Sequence, residues 1–415
     1  MWKKGAAKIV LVYNIFMKFK DSLLVQKIAY MLIIMIWYCV GRGIPLMGVD
    51  VATYRDQAVD ATQAFEQAIS GDANQISIFA LGLIGYMMSL FMVQIIMSLR
   101  SKEAKAATSS SRVNRISMVV AMIIVMIQAI VRIDSIIYVP EAEGYLFWYK
   151  AMDFIEMVTG VMIIIWFVRR NCTYGIGTMT PIILVNMVSS LQKIIINHWG
   201  NDLWLPLGIS GVAMVVALIM ENAEFRIPVQ RISIQNVYKD KNYMAFKLNP
   251  VGTMPLMFAT LMFMLPQLVI KGLLMIWPDS ERLAWWKTNM VLNHPLGAVT
   301  YIIILYLLTF LMAFIMFSPK DQTENLLKSG DSIVNLHAGK PTRRFLRSTL
   351  LKLCFISATV MSAFMSIPLY MQTQGLIDQQ LTMLPATAMM VTGLWCNLFR
   401  EGSVIRKYDL YQPFI

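Results

Sequence analysis

Apolar runs of about 20 residues, the length a helix needs to cross the hydrocarbon core of a bilayer, recur along this chain between short charged connections. That alternation leaves few folds open. Its clearest instance lies between Glu221 and Ala259, where the chain leaves one apolar run, passes through a basic stretch from Arg226 to Lys247, and re-enters apolar sequence at Met254. Lys and Arg with Glu224 and Asp240 cannot lie in hydrocarbon, and the flanking runs can hardly lie elsewhere, so this stretch is expected to be a loop in water joining two spans. Composition agrees, since 415 residues that are 57% hydrophobic and 14% charged carry more apolar surface than a soluble core of that length needs. The class expected is an all-α polytopic membrane protein.

Counting runs gives ten spans, near 24–42, 76–98, 115–135, 146–168, 178–197, 204–222, 253–275, 296–317, 350–371 and 382–398. The connections alternate in charge. Lys3, Lys4 and Lys8 precede the first span; Arg100 and Arg112 follow the second, Arg169 and Arg170 the fourth, Arg226 to Lys247 the sixth, and Lys320 to Arg347 the eighth. The connections on the other side are poorer in Lys and Arg and hold Asp50, Glu66, Glu141 and Asp279, so both termini are expected in the cytosol. The first apolar run is too long for a cleavable signal peptide and has no small-residue cleavage site after it. The net charge of +12 falls in these short loops, where the positive-inside bias and anionic headgroups account for it, and nucleic acid is not an expected partner. Membrane lipids are.

Chemistry is sparse. The three histidines, His198, His294 and His337, fall at loops or span ends, and no metalloprotease, nucleophile-elbow or phosphate-cradling motif is present. Gly175-Ile176-Gly177 lacks the third glycine and the strand of a dinucleotide site. Cys39, Cys172, Cys354 and Cys396 have neither disulfide-framework nor metal-site spacing. Neither an enzyme nor a cofactor or metal is expected. Asp153, Glu156, Lys193 and Lys271 are the ionisable residues nearest the spans, each close enough to a span end to snorkel, which leaves the midplane almost uncharged. A pathway through such a protein suits an apolar constriction better than an ion site. Between Val49 and Gln75, Ala58, Ala61, Ala64, Phe65, Ala68 and Ile69 recur near helical spacing before Ser70-Gly71, which predicts a short amphipathic helix.

At these residues a resemblance enters. Glu224 to Gln230 with Phe246 to Ala259 resembles the stretch from the sixth to the seventh span of SecY, the protein-conducting channel of the Sec translocon. Ser77 to Tyr86 with Gln94 resembles that family's entry to the second span; Ile44 to Asp50 resembles the end of the first, Gly175 to Gly177 the entry to the fifth, and Gly339 to Leu346 the loop before the ninth. The matches fall in order over almost the whole chain. The resemblance implies two pseudo-symmetric halves of five spans with a plug on the outer side and a lateral gate between the second and seventh spans. Residues 1–222 would hold spans one to six and the plug, 223–252 a cytosolic loop, and 253–415 spans seven to ten with a second cytosolic loop at 318–349.

Residue by residue, the resemblance implies a pore ring of Leu83, Met87, Leu184, Val188, Met257 and Met390, with Phe91 and Met389 as further candidates. It implies a plug over about 60–74, including Phe65, Ile69, Ser70 and Gly71, and a lateral-gate role for Gln128. Arg226, Arg231, Lys247, His337, Lys340, Arg343 and Arg344 would dock a SecA-type ATPase, with SecE-like and accessory Sec subunits as further partners and an unfolded secretory polypeptide as cargo. Departures are visible. His337-Ala338-Gly339 replaces the family's Arg-Pro-Gly, Gly85 its proline and Arg169 its glutamate, a drift resembling the accessory SecY paralogue of Gram-positive bacteria, which exports serine-rich glycosylated adhesins. A housekeeping SecY is the alternative within the class; a solute or lipid transporter is the alternative outside it.

Overall fold

The computed structural model describes residues 23–50, 76–100, 108–134, 136–139, 144–200, 203–231, 243–277, 280–292, 294–337, 339–378 and 380–411. Their helices, in order, are α1 (Leu23–Arg42), α2 (Ile84–Leu99), α3 (Ser110–Ile133), α4 (Leu146–Tyr174), α5 (Thr180–Asn197), α6 (Trp204–Asn222), α7 (Met254–Ile276), α8 (Glu281–Asn289), α9 (Pro295–Met316), α10 (Pro319–Ser329), α11 (Lys340–Thr373) and α12 (Leu384–Tyr411). Eight of these, α1, α3 to α6, α9, α11 and α12, are long and apolar enough to cross a membrane. The second and seventh expected spans correspond to the apolar helices α2 and α7.

The second span starts later than expected, being helical only from Ile84 rather than from residue 76, whereas α11 and α12 run beyond the expected limits at 350 and 398. Local geometry explains the late start. Ser77 bridges Pro45 in antiparallel fashion, Leu46 donates to the Ile76 carbonyl at 2.8 Å and Ile78 to the Ile44 carbonyl at 3.1 Å, so the chain enters extended. Gly82 then turns at φ +53°, a conformation glycine adopts at no steric cost, and the helix begins two residues later. α7 follows the same plan, starting two residues after Gly252 at φ +71°.

The basic stretch after α6 is no plain loop. It forms β1 (Glu224–Arg231) and β2 (Tyr243–Lys247), and β1 also pairs with β3 (Asp331–Ile333), giving an antiparallel sheet of order β2-β1-β3. Phe225 opposes Phe246, and Val229 opposes Ile333. Period-two alternation turns Ile227, Phe246 and Ile333 onto Leu326 of α10 and Leu346 and Leu353 of α11, which makes a small core separate from that of the bundle. α10 is bounded by the Ser318 hydroxyl, which accepts from Asp321 N–H at 3.4 Å, and by Gly330 at φ +72°. Neither α10 nor α8 was expected from the apolar runs, since both are short and polar.

Candidate functional site

One contiguous cluster of buried apolar side chains occupies the centre of the bundle. Leu83 at the mouth of α2, Met87 on α2, Leu184 on α5, Met257 on α7, and Met389 and Met390 on α12 all belong to it. Four helices thus bring five of the six expected ring residues, and both α12 candidates, into one buried apolar region. Val188, one turn beyond Leu184, is 50% exposed and stands outside that cluster.

α2 and α7 meet along a seam within this region. Phe91 and Phe258 stack there with centroids 4.6 Å apart and planes at 24°. Offset pairs of this kind add about 0.5–1.5 kcal/mol to their area burial. Polar fastenings lie on either side of the seam. On one side Ser89 donates to the Ser117 carbonyl, and buried Gln128 donates to the Met88 sulfur at 4.0 Å, joining α2 to α3. Gly85 makes the latter approach possible, because a Cβ there would stand 2.7 Å from Val125 and 3.0 Å from the Gln128 oxygen. On the other side Tyr301 of α9 reaches the Leu256 carbonyl at 3.4 Å and the Thr260 hydroxyl at 3.3 Å, and its ring meets Phe263 edge-on at 5.8 Å. Among the described residues the contact seen across the seam is between rings. An apolar seam of this kind can part without stranding a buried hydrogen-bonding group.

The sheet end holds a polar knot that inspection of the spans missed. Glu221, the penultimate residue of α6, is fully buried; Lys247 Nζ reaches its Oε2 at 3.4 Å, and Arg400 of α12 donates to its backbone carbonyl and, at 3.3 Å, to Asn222 Oδ1. Gly252 leaves the space that the carboxylate fills, since a Cβ there would lie 2.9 Å from Glu221 Oε1. Beside Arg400, Glu401 accepts from Gly177 N–H at 3.1 Å, while Asn171 donates to the carbonyls of Ile176 at 2.9 Å and Thr178 at 2.6 Å. The clue in the sequence was an acid at the very end of an apolar run, with a Lys in the connection that follows it and an Arg at the end of the last apolar run.

The remaining expected residues are more dispersed. Arg226 is exposed on β1, 3.5 Å from Glu224, with its guanidinium 4.6 Å from the Tyr243 ring centroid. Arg231 closes β1. His337, Lys340, Arg343 and Arg344 are exposed at the start of α11, whereas Lys247 is turned inward to Glu221. The expected plug, with Phe65, Ile69, Ser70 and Gly71, lies outside the described residues, as does much of the β1–β2 connection. Asp153 does not snorkel as expected. It is fully buried on α4, one turn from Glu156, which accepts from Met47 N–H at 3.4 Å.

These features define a polytopic helical membrane protein whose centre is closed by packed aliphatic and methionine side chains drawn from several spans. The SecY family model matches residues 77–394, and the chain belongs to the SecY family. That makes it a multi-pass component of protein transport and not an enzyme. It is 28% identical over 389 residues to an accessory Sec system protein translocase subunit SecY2 from Leuconostoc gelidum, covering 88% of this chain and 90% of the relative. It is 27% identical over 405 residues to the SecY2 subunit of Streptococcus agalactiae, covering 95% and 96%. Among solved structures, one described as "The structure of a protein conducting channel" superposes with a TM-score of 0.63 at 14% identity over 93% of this chain and 94% of that one. The fold is therefore SecY-like.

Proposed function

We propose that this chain is the protein-conducting subunit of an accessory Sec translocase, passing unfolded secretory polypeptides across the plasma membrane with both of its termini in the cytosol. The observation that carries the reading is the near full-length likeness to SecY2 subunits, joined to an apolar centre that draws Leu83, Met87, Leu184, Met257 and Met390 from four helices. Flexible methionine side chains suit a gasket that must mould around varied passing chains and still exclude ions. Signal segments would part the Phe91–Phe258 seam, with Gln128 beside it as a gate residue, and the 60–74 segment would act as the plug. The energy comes from a SecA-type ATPase docked on the sheet and on the exposed Arg343 and Arg344, because the sequence has no phosphate-cradling motif. SecE-like and accessory subunits complete the assembly, and serine-rich glycosylated adhesins are the proposed cargo. The departures at Gly85, Arg169 and His337 favour the accessory role over the housekeeping one.

The test places a photocrosslinker in a stalled secretory precursor. Adducts at Met87 and Met257 are expected. Their clean absence, beside small-solute uptake by the reconstituted protein, would replace the channel with a transporter.

A further inference from the structure

Six of the ten tryptophans are exposed at the end of the bundle opposite the sheet: Trp148 at the start of α4, Trp199 in the α5–α6 connection, Trp204 at the start of α6, and Trp277, Trp285 and Trp286 around α8. Helix alternation puts these positions at one level, and tryptophan at one level on an apolar bundle marks a membrane–water boundary. α8 is the part of this boundary that is a helix in its own right. It has no buried residue, it is bounded by two apolar helices that fix it at the membrane surface, and it cannot cross a bilayer in nine residues. Its helical wheel puts Arg282 between Trp285 and Trp286, with Lys287 on another face. The two indoles meet edge-on at 5.4 Å.

We infer that α8 is an interfacial helix seated in the bilayer leaflet at this end, with Trp285 and Trp286 at headgroup depth and Arg282 and Lys287 taking phospholipid phosphates. Charge complementarity selects this occupant. Guanidinium and ammonium groups beside exposed indoles match a phosphate layer over acyl chains, and Glu281 is the helix's only acid. The seating also reaches the seam. Gln267 Nε2 on α7 donates to the Met290 carbonyl at 2.8 Å, so the turn after α8 is fastened to α7 immediately beyond Pro266, which removes a backbone donor and softens that helix. α8 thereby ties the end of α7 away from the sheet to the plane of the bilayer. The inference rests on the chain being a membrane protein and not on what the channel conducts.

The test uses the full chain in phosphatidylcholine–phosphatidylglycerol vesicles. The fluorescence difference between the wild type and W285F/W286F isolates the α8 indoles. A nitroxide lipid labelled at the headgroup is expected to quench most of that difference signal, and aqueous iodide little of it. Strong iodide quenching without lipid quenching would place α8 in water and overturn the inference; resistance to both would place it against protein and overturn it equally. If the double variant misfolds, a spin label at T288C in a background lacking the native cysteines reads the same depth. An interfacial value supports the seating, and a fully aqueous or fully buried one ends it.

Discussion

Gly160 has no room for a side chain. A Cβ there would lie 2.1 Å from the Ile78 carbonyl oxygen, so α4 meets the extended entry to α2 backbone to backbone. The obstructing atom is backbone, in a segment held by the Ile78 N–H bond to the Ile44 carbonyl, so G160A is expected to cost roughly 1–3 kcal/mol through overpacking, read as a lower unfolding temperature in detergent. A variant as stable as the wild type would show that the entry segment is slack. Glu221 argues in the other direction. K247M leaves a buried carboxylate without its cation and is expected to destabilise by about 1–3 kcal/mol, whereas E221Q/K247M should recover most of the loss. Failure of the double variant to recover would mean that the Lys247 stem, and not its charge, supports β2. Residues of this kind were the least legible from sequence. Leu184 and Val188 stand one turn apart in the same apolar run, yet one is 7% and the other 50% exposed, a difference set by neighbours that spacing does not reveal. Asp153 looked free to reach the interface and is enclosed instead, because the segments around Met47 and Tyr138 fold back over that end of the bundle.

Among elements, the pairing of α2 with α7 is the one that must open if the proposed function holds. F91A removes a stacked ring and should weaken the closed seam by about 0.5–1.5 kcal/mol beyond lost area. The expected readout is greater ion conductance of reconstituted vesicles at rest, with the variant still folded. Unchanged conductance would place the barrier entirely at the ring. The long helices were legible because a span is a local property, roughly 20 apolar residues in a row. The sheet was not, since Val229 finds Ile333 about a hundred residues away and no local pattern announces so distant a partner. The late start of α2 was hidden for a similar reason: an apolar run scores alike whether it enters as a strand or a helix.

For the molecule as a whole, the two basic connections lie at the same end and present Arg226, Arg343 and Arg344 outward. Reversing these three to glutamate is expected to cut motor-driven transport while leaving membrane insertion and resting ion tightness unchanged, because exposed charges steer partners far more than they stabilise folds. Normal motor binding by that variant would move the docking surface elsewhere. Deleting 60–74 is expected to make the resting protein leak ions, measured as vesicle depolarisation. A tight variant would remove that segment from the seal.

The β1–β3 pairing also constrains how such a protein can change over time. Two stretches far apart in the chain, 224–231 and 331–333, share one hydrogen-bond register and one small core. Exchanging one of them for a paralogue's sequence changes the side chains that the other packs against. A graft of residues 224–247 alone from a distant relative is therefore expected to lower the unfolding temperature more than a joint graft with 318–349.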